Sequence, residues 1–209
     1  MCCVWQSSYS TDRSGWLRMT EYPNWFAGTA KANFEKYLAE YAGKPDLRFL
    51  QLGAFTGDAS LWLMSNILTH PSSVLVDVDT WQGSPTEDVH MRMDWADVEA
   101  TYDAKVGHLN VIKIKKPSHE FFLLIPPHNY DFIYVDADHT QAAAFRDAIN
   151  SFATLKIGGI LAFDDYTWGS GLADQSLAPG PAIDEFLQEY EGYYHLLEKS
   201  GQVWVRRRR

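Results

Sequence analysis

The chain reads as a doubly wound α/β domain whose mostly parallel seven-stranded sheet ends in an antiparallel hairpin. Three observations predict this. Short apolar runs alternate with helical stretches along most of the sequence, a turn with two glycines follows the first strong strand, and the last segment breaks the rhythm with two strand-like runs around Ser200-Gly201.

Residues 1–28 hold Trp5, Trp16, Tyr22, Trp25 and Phe26 among Ser, Thr and Pro without a helical or strand period, and read as an irregular lead to a single domain over 29–209. Their aromatics would cover a core edge, form a lid, or serve a homodimer. Thr29 to Tyr41 predicts a helix with Phe34, Leu38 and Tyr41 on one face, stopped by Gly43-Lys44-Pro45. Strands are expected at 48–52, 73–77, 111–114, 132–136 and 159–163. The clearest helices between them are 59–68 and 141–155, the latter with Ala144, Ala148, Phe152 and Leu155 at helical spacing before Gly158-Gly159. A helix over 183–190 precedes the hairpin strands 193–199 and 202–206.

With 209 residues, 46% hydrophobic and 22% charged, the chain can bury a large core and is not a disordered protein. A net charge of −9 gives nucleic acid no general attraction, and Arg206 to Arg209 reads as a solvated tail. Cys2 and Cys3 are the only cysteines, so neither a disulfide framework nor a cysteine zinc site can form. No apolar stretch is long enough for a signal peptide core or a membrane span. A soluble cytoplasmic protein acting on a small molecule, without nucleic acid or membrane partners, is the expectation.

In Gln51-Leu52-Gly53-Ala54-Phe55-Thr56-Gly57 the glycines let the backbone turn at the carboxyl edge of the sheet and leave room for a ligand against the main chain. The Gly-x-x-x-Gly spacing differs from the dinucleotide Gly-x-Gly-x-x-Gly and from the phosphate loop ending in Gly-Lys-Ser/Thr. Asp77, at the end of the second strand, can accept both hydroxyl hydrogen bonds of a ribose, with Asp79 as reserve.

Asp136-Ala137-Asp138-His139 and Asp164-Asp165 close two successive strands. Neighbouring strands lie about 5 Å apart, so Asp136, Asp164 and Asp165 should be close. Such a cluster retains a proton or holds a divalent cation, and hard oxygen ligands suit Mg²⁺. Asp138 equally suits a helix cap, and His139 the first exposed turn of that helix. His70, His90, His108, His119, His128 and His195 show no ligand spacing and read as surface residues.

Together these segments resemble the class I S-adenosylmethionine-dependent methyltransferases, which have a Rossmann-like sheet, and within them the metal-dependent O-methyltransferase branch with an Asp-x-Asp-His motif. The resemblance implies cofactor contacts at Gln51, Gly53, Ala54, Phe55, Gly57, Asp77 or Asp79, Ser118 and Asp136. It implies Mg²⁺ on Asp136, Asp164 and Asp165, with His139 as the base for a small-molecule or sugar hydroxyl. Gln51 stands where the family most often has an acid, and His139 where catechol-type members have a lysine. The rival readings are a nicotinamide oxidoreductase, a metal-dependent hydrolase on the Asp cluster, and a catalytically silent binder.

Overall fold

The computed structural model describes residues 9–11, 17–19, 22–84, 86–123 and 125–209. Cys2, Cys3, Trp5 and Trp16 lie outside the described residues. The lead is less irregular than its composition suggests. β1 (Tyr9–Thr11) and β2 (Leu17–Met19) pair antiparallel, and a short helix α1 (Trp25–Thr29) starts where Asn24 accepts the Ala27 N–H at 2.9 Å.

From there the alternation holds. The order is α2 (Lys31–Leu38), β3 (Arg48–Leu52), α3 (Asp58–Asn66), β4 (Val74–Asp79), α4 (Trp95–Val106), β5 (Val111–Lys115) and α5 (Ser118–Phe122). β6 (Tyr130–Val135), α6 (Gln141–Thr154), β7 (Leu155–Phe163), α7 (Gly180–Glu189), β8 (Tyr194–Lys199) and β9 (Val203–Arg207) complete it. The helix expected to reach Leu155 stops one residue sooner, and Leu155 opens β7 instead.

The seven-stranded sheet has the order β5-β4-β3-β6-β7-β9-β8. The first five strands are parallel, and the hairpin folds back so that β9 pairs antiparallel with both β7 and β8. Strand order reverses between β3 and β6, and open α/β sheets bind ligands at such a reversal.

Both faces are covered because side chains alternate across a strand. Leu50, Val76, Ile133 and Leu161 pack under α6 and α7, against Ala148, Phe152, Ile183 and Phe186. Phe49, Leu75, Phe132 and Ile160 pack on the opposite side, against Phe34 and Leu38 of α2 and Leu63 of α3. Phe34 is the hub of that side, with ring centroids 4.9–5.9 Å from Trp62, Phe132, Tyr134 and Trp204. Truncating such a buried phenylalanine to alanine costs about 3–5 kcal/mol.

The terminal arginines serve the fold. Arg207 donates to the carbonyls of Phe152 and Leu155 where α6 ends, Arg206 pairs with Glu40, and Arg209 lies 4.6 Å from the Tyr193 ring centre. Among the described residues no helix is long and apolar enough to cross a membrane.

Candidate active site

At the strand reversal the chain must turn sharply from β3 into α3. Gly53 and Gly57 do so at φ +83° and +81°. Gly53 also tolerates no side chain, because a Cβ there would lie 1.7 Å from the Asp136 carbonyl oxygen. The strand ends are pinned by the Asp136 N–H donating to Leu52 O at 2.9 Å and the Gly53 N–H to Val78 O at 2.8 Å. A cavity of about 550 Å³ opens over this junction. Phe55, Trp81 and Asp165 are non-glycine residues with φ of +48°, +48° and +56°, a strained conformation that clusters at functional sites.

Five of the sequence-predicted cofactor residues line the cavity: Gly53, Phe55, Asp79, Ser118 and Asp136. Asp79 shapes the turn itself. Its Oδ2 accepts the N–H groups of Ala54 and Phe55 at 2.8 and 2.9 Å, and its Oδ1 that of Trp81 at 2.7 Å. Burial pushes its carboxyl up, and these backbone donors pull it back.

The other predicted members sit behind the wall. Gln51 is 2% exposed and donates from Nε2 to Gly53 O at 2.9 Å, so it braces the turn from beneath. Ala54 is buried, and Gly57 packs under Tyr102, whose ring would touch a Cβ there at 3.0 Å. Asp77, preferred on spacing, is fully buried and does not reach the cavity. Its Oδ2 accepts the Tyr102 hydroxyl proton at 2.7 Å. The nearby Ser60 hydroxyl is shared with Gln51 at 3.5 Å, and Asp77 Oδ1 is left without a well-formed hydrogen bond. Burial pushes Asp77 up to about 7, against the Ser60 and Tyr102 hydroxyls.

The acidic cluster forms, with one member exchanged. Asp136, His139 and Asp165 bring potential ligand atoms within 4.8 Å of one another. Asp164 faces the cavity but is engaged elsewhere: its carboxylate accepts from the Tyr134 hydroxyl, from Gln202 Nε2 at 2.9 Å and from the Asp165 N–H at 2.9 Å. Asp138 accepts the Thr140 N–H at 2.9 Å and so forms a turn ahead of α6 rather than the expected cap, because Thr140 itself is the N-cap residue.

His139 Nε2 lies 3.1 Å from Asp165 and 3.9 Å from Asp136. Burial works against the imidazolium, but these two carboxylates outweigh it and push His139 up to about 11. It is therefore protonated at neutral pH, unlike the base near 6.5 that an unperturbed histidine would supply. Enclosure by the protein pushes Asp136 up to about 8, opposed by His139 and reinforced by Asp164 and Asp165. Its side chain is still 35% exposed, so water screens part of this effect.

Sequence reasoning missed two residues here. Glu87 is 7% exposed and places Oε1 3.3 Å from His139 Nδ1, opposite the aspartates. Burial pushes it up, and the His139 charge pulls it back. His90, read as a surface residue, lines the cavity, accepts the Ser84 N–H on Nδ1 at 3.2 Å and packs its edge on Trp95 at 5.2 Å. Burial and the charge on His139 push it down to about 4. Both sit in the polar stretch after Trp81, where an acid and a histidine carry no periodic signal. Aromatic rings close the remaining wall: Trp25 lies 4.8 Å from Phe55, and Trp168 lies 4.8 Å from His139. Tyr166, two residues before Trp168, does not line the cavity and donates instead to Asp184 at 3.0 Å.

A family model described as a methyltransferase domain matches residues 50–166, which span the glycine turn, Asp79, Glu87 and the acidic cluster. No curated protein matches the chain. Among solved structures, the O-methyltransferase NovP superposes with a TM-score of 0.63 at 18% identity, over 85% of this chain and 79% of NovP. The Bacillus cereus O-methyltransferase, in complex with S-adenosylhomocysteine, gives 0.54 at 16% identity over 90% of this chain and 93% of that one. MycE, a methyltransferase of the mycinamycin biosynthetic pathway in complex with Mg, S-adenosylhomocysteine and mycinamycin VI, gives 0.58 at 14% identity. The match covers 90% of this chain and 51% of MycE. At these identities the likeness is one of fold.

Proposed function

Since the chain belongs to the methyltransferase-domain family, we propose that it moves the methyl group of S-adenosylmethionine to a hydroxyl of a small-molecule or sugar acceptor, assisted by a divalent cation. The observation that carries the proposal is a single cavity that joins the glycine turn and Asp79 to the Asp136–His139–Asp165 cluster. A carboxylate for a ribose and a proton-handling group thus face the same space. Nothing favours the nicotinamide or hydrolase readings over this one.

The cofactor would supply an electrophilic methyl group on a sulfonium. Asp79, whose two oxygens already accept three backbone N–H groups, accepts a ribose hydroxyl on its remaining lone pair, and the bare backbone at Gly53 lets the amino-acid end lie against the main chain. The donor set also fits a hard cation. Two carboxylates from adjoining strand ends converge on the His139 imidazolium, with Nε2 3.1 Å from Asp165 and 3.9 Å from Asp136. Bound by Asp136 and Asp165, a divalent cation would neutralise the charges that hold the His139 proton and would acidify the acceptor hydroxyl.

Once the imidazolium has released its Nε2 proton to solvent, His139 takes the acceptor proton on that nitrogen, while the Glu87 carboxylate, 3.3 Å from Nδ1, acts on the ring through its charge. Trp25, Phe55 and Trp168 keep water from a step in which an anion and a sulfonium neutralise each other. Calorimetric titration with S-adenosylhomocysteine, with and without Mg²⁺, followed by a screen of hydroxylated acceptors under EDTA or Mg²⁺, tests the reading. Micromolar binding and Mg²⁺-stimulated transfer are expected. Absence of S-adenosylhomocysteine binding under every condition refutes it.

A further inference from the structure

The cavity crosses the sheet edge in a definite order. Asp136 follows the last residue of β6, Gly53 follows that of β3, Asp79 ends β4, and Ser118 opens α5 just after β5. In the sheet these strands lie side by side as β6, β3, β4 and β5, and all four residues line the cavity. With the ribose on Asp79 and the methionine part toward Asp136, the base must fall at the β5 end, beside Ser118.

There the Ser118 hydroxyl is committed. Its Oγ–H donates to Asp147 Oδ1 at 2.6 Å. Asp147 comes from α6 and is 1% exposed, so water does not compete for its carboxylate. Burial pushes it up to about 6, opposed by the Ser118 hydrogen bond and the Arg146 charge, so it is ionised at pH 8 and only accepts. With its single proton given to Asp147, Ser118 Oγ offers the cavity lone pairs alone.

We propose that Asp147 makes Ser118 a pure hydrogen-bond acceptor at the base end of the cavity, and that the site thereby selects a 6-amino purine over a 6-oxo purine. An exocyclic amino group donates to Ser118 Oγ, whereas an oxo group sets acceptor against acceptor. The inference rests on the S-adenosylmethionine reading and makes Asp147 a positioning residue acting through Ser118. The bland alternative is a staple between α5 and α6 that leaves the base unread.

Calorimetric titration of the full chain at pH 8 with S-adenosylhomocysteine and its deaminated analogue S-inosylhomocysteine tests it. One such hydrogen bond and its repulsive counterpart are worth roughly 10-fold to 100-fold in affinity, so the wild type should prefer the amino form at least about tenfold. In Asp147→Asn the amide can donate to Ser118 Oγ and release the hydroxyl proton toward the base, and the preference should fall to about threefold or less. Ser118→Ala should lose the preference without depending on Asp147, which covers the case in which Asp147→Asn fails to fold. Equal binding of both analogues by the wild type, or a wild-type ratio retained in a folded variant, overturns the inference and leaves the staple. A wild type that binds neither analogue removes the cofactor reading, and this inference with it.

Discussion

Asp77→Asn should make the protein more stable at pH 8 than the wild type and barely different at acid pH. The Asp77 carboxyl is fully buried, has one good hydrogen bond, from Tyr102, and is pushed from an ordinary value of 3.8 up to about 7. Between those values the folded chain keeps a proton that the unfolded chain releases. Stability attributable to this group therefore falls as pH rises from about 4 to about 7, and is flat above. A gap of about three pH units at 1.36 kcal/mol each bounds the loss at about 4 kcal/mol. Asparagine has the same shape, still accepts from Tyr102 and cannot ionise, so it escapes that loss. Its hydrogen bond from Tyr102 is neutral and weaker, and a net gain of about 2 kcal/mol at pH 8 is a reasonable expectation. In a chain of 209 residues that corresponds to a rise in Tm of about 4–8 °C. Thermal and urea unfolding of both proteins at pH 5 and pH 8 measures it. A variant equally or less stable than the wild type at pH 8, or a difference independent of pH, would refute the assignment of Asp77 as a buried, poorly satisfied acid. Binding of S-adenosylhomocysteine should survive the substitution, since Asp77 does not face the cavity.

Asp79→Ala, by contrast, removes the acceptor for three backbone N–H groups of the cofactor turn and should weaken S-adenosylhomocysteine binding at least about tenfold in the same calorimetric assay. Gly53→Ala should lower Tm steeply or prevent folding, because the added Cβ meets the Asp136 carbonyl and neither strand end can yield; a Tm within a few degrees of wild type would contradict the packing. In metal-free protein the His139 ring should show imidazolium NMR shifts past pH 9, and Asp165→Asn or added Mg²⁺ should bring its titration down toward neutrality; titration near 6.5 without metal would rule out the charge cluster. Glu87→Gln should reduce methyl transfer about 10-fold to 100-fold while leaving S-adenosylhomocysteine affinity within twofold, and equal losses in both would mean that Glu87 shapes the cavity rather than His139.

Much of this architecture was legible beforehand. The apolar runs at 48–52 and 132–136 announce buried parallel strands because both faces of such strands meet helices, and the runs show no polar alternation. Gly53 stood out because a strand-to-helix turn needs a left-handed residue, and the structure adds that the backbone of the next strand end leaves no space there. α4 was not read: Val98, Tyr102 and Val106 recur at helical spacing, yet polar residues dilute the pattern, and its buried stripe faces only a small cluster. The 81–93 stretch hides Glu87 and His90 for a related reason. His90 packs against Trp25 and Trp95, and Glu87 faces His139, contacts that only the folded chain brings together.

Local pattern alone determined the α/β class, the position of the glycine turn, the terminal hairpin and the gathering of acids at one sheet edge, because periodicity and strand ends are properties of neighbouring residues. It ranked Asp77 above Asp79 on spacing alone, although both point to the same face of β4 since side-chain direction repeats every two residues. Only the placement of α4 decides: Tyr102 covers Asp77, while Asp79 extends past that cover to the strand end and the cavity. The pair Asp164 and Asp165 divides in the same way. Tyr134 and Gln202, distant in sequence, engage Asp164, and the left-handed backbone at Asp165 turns the second carboxylate toward His139. Which acid does which task depends on what packs over each one, and that is a long-range property of the folded chain.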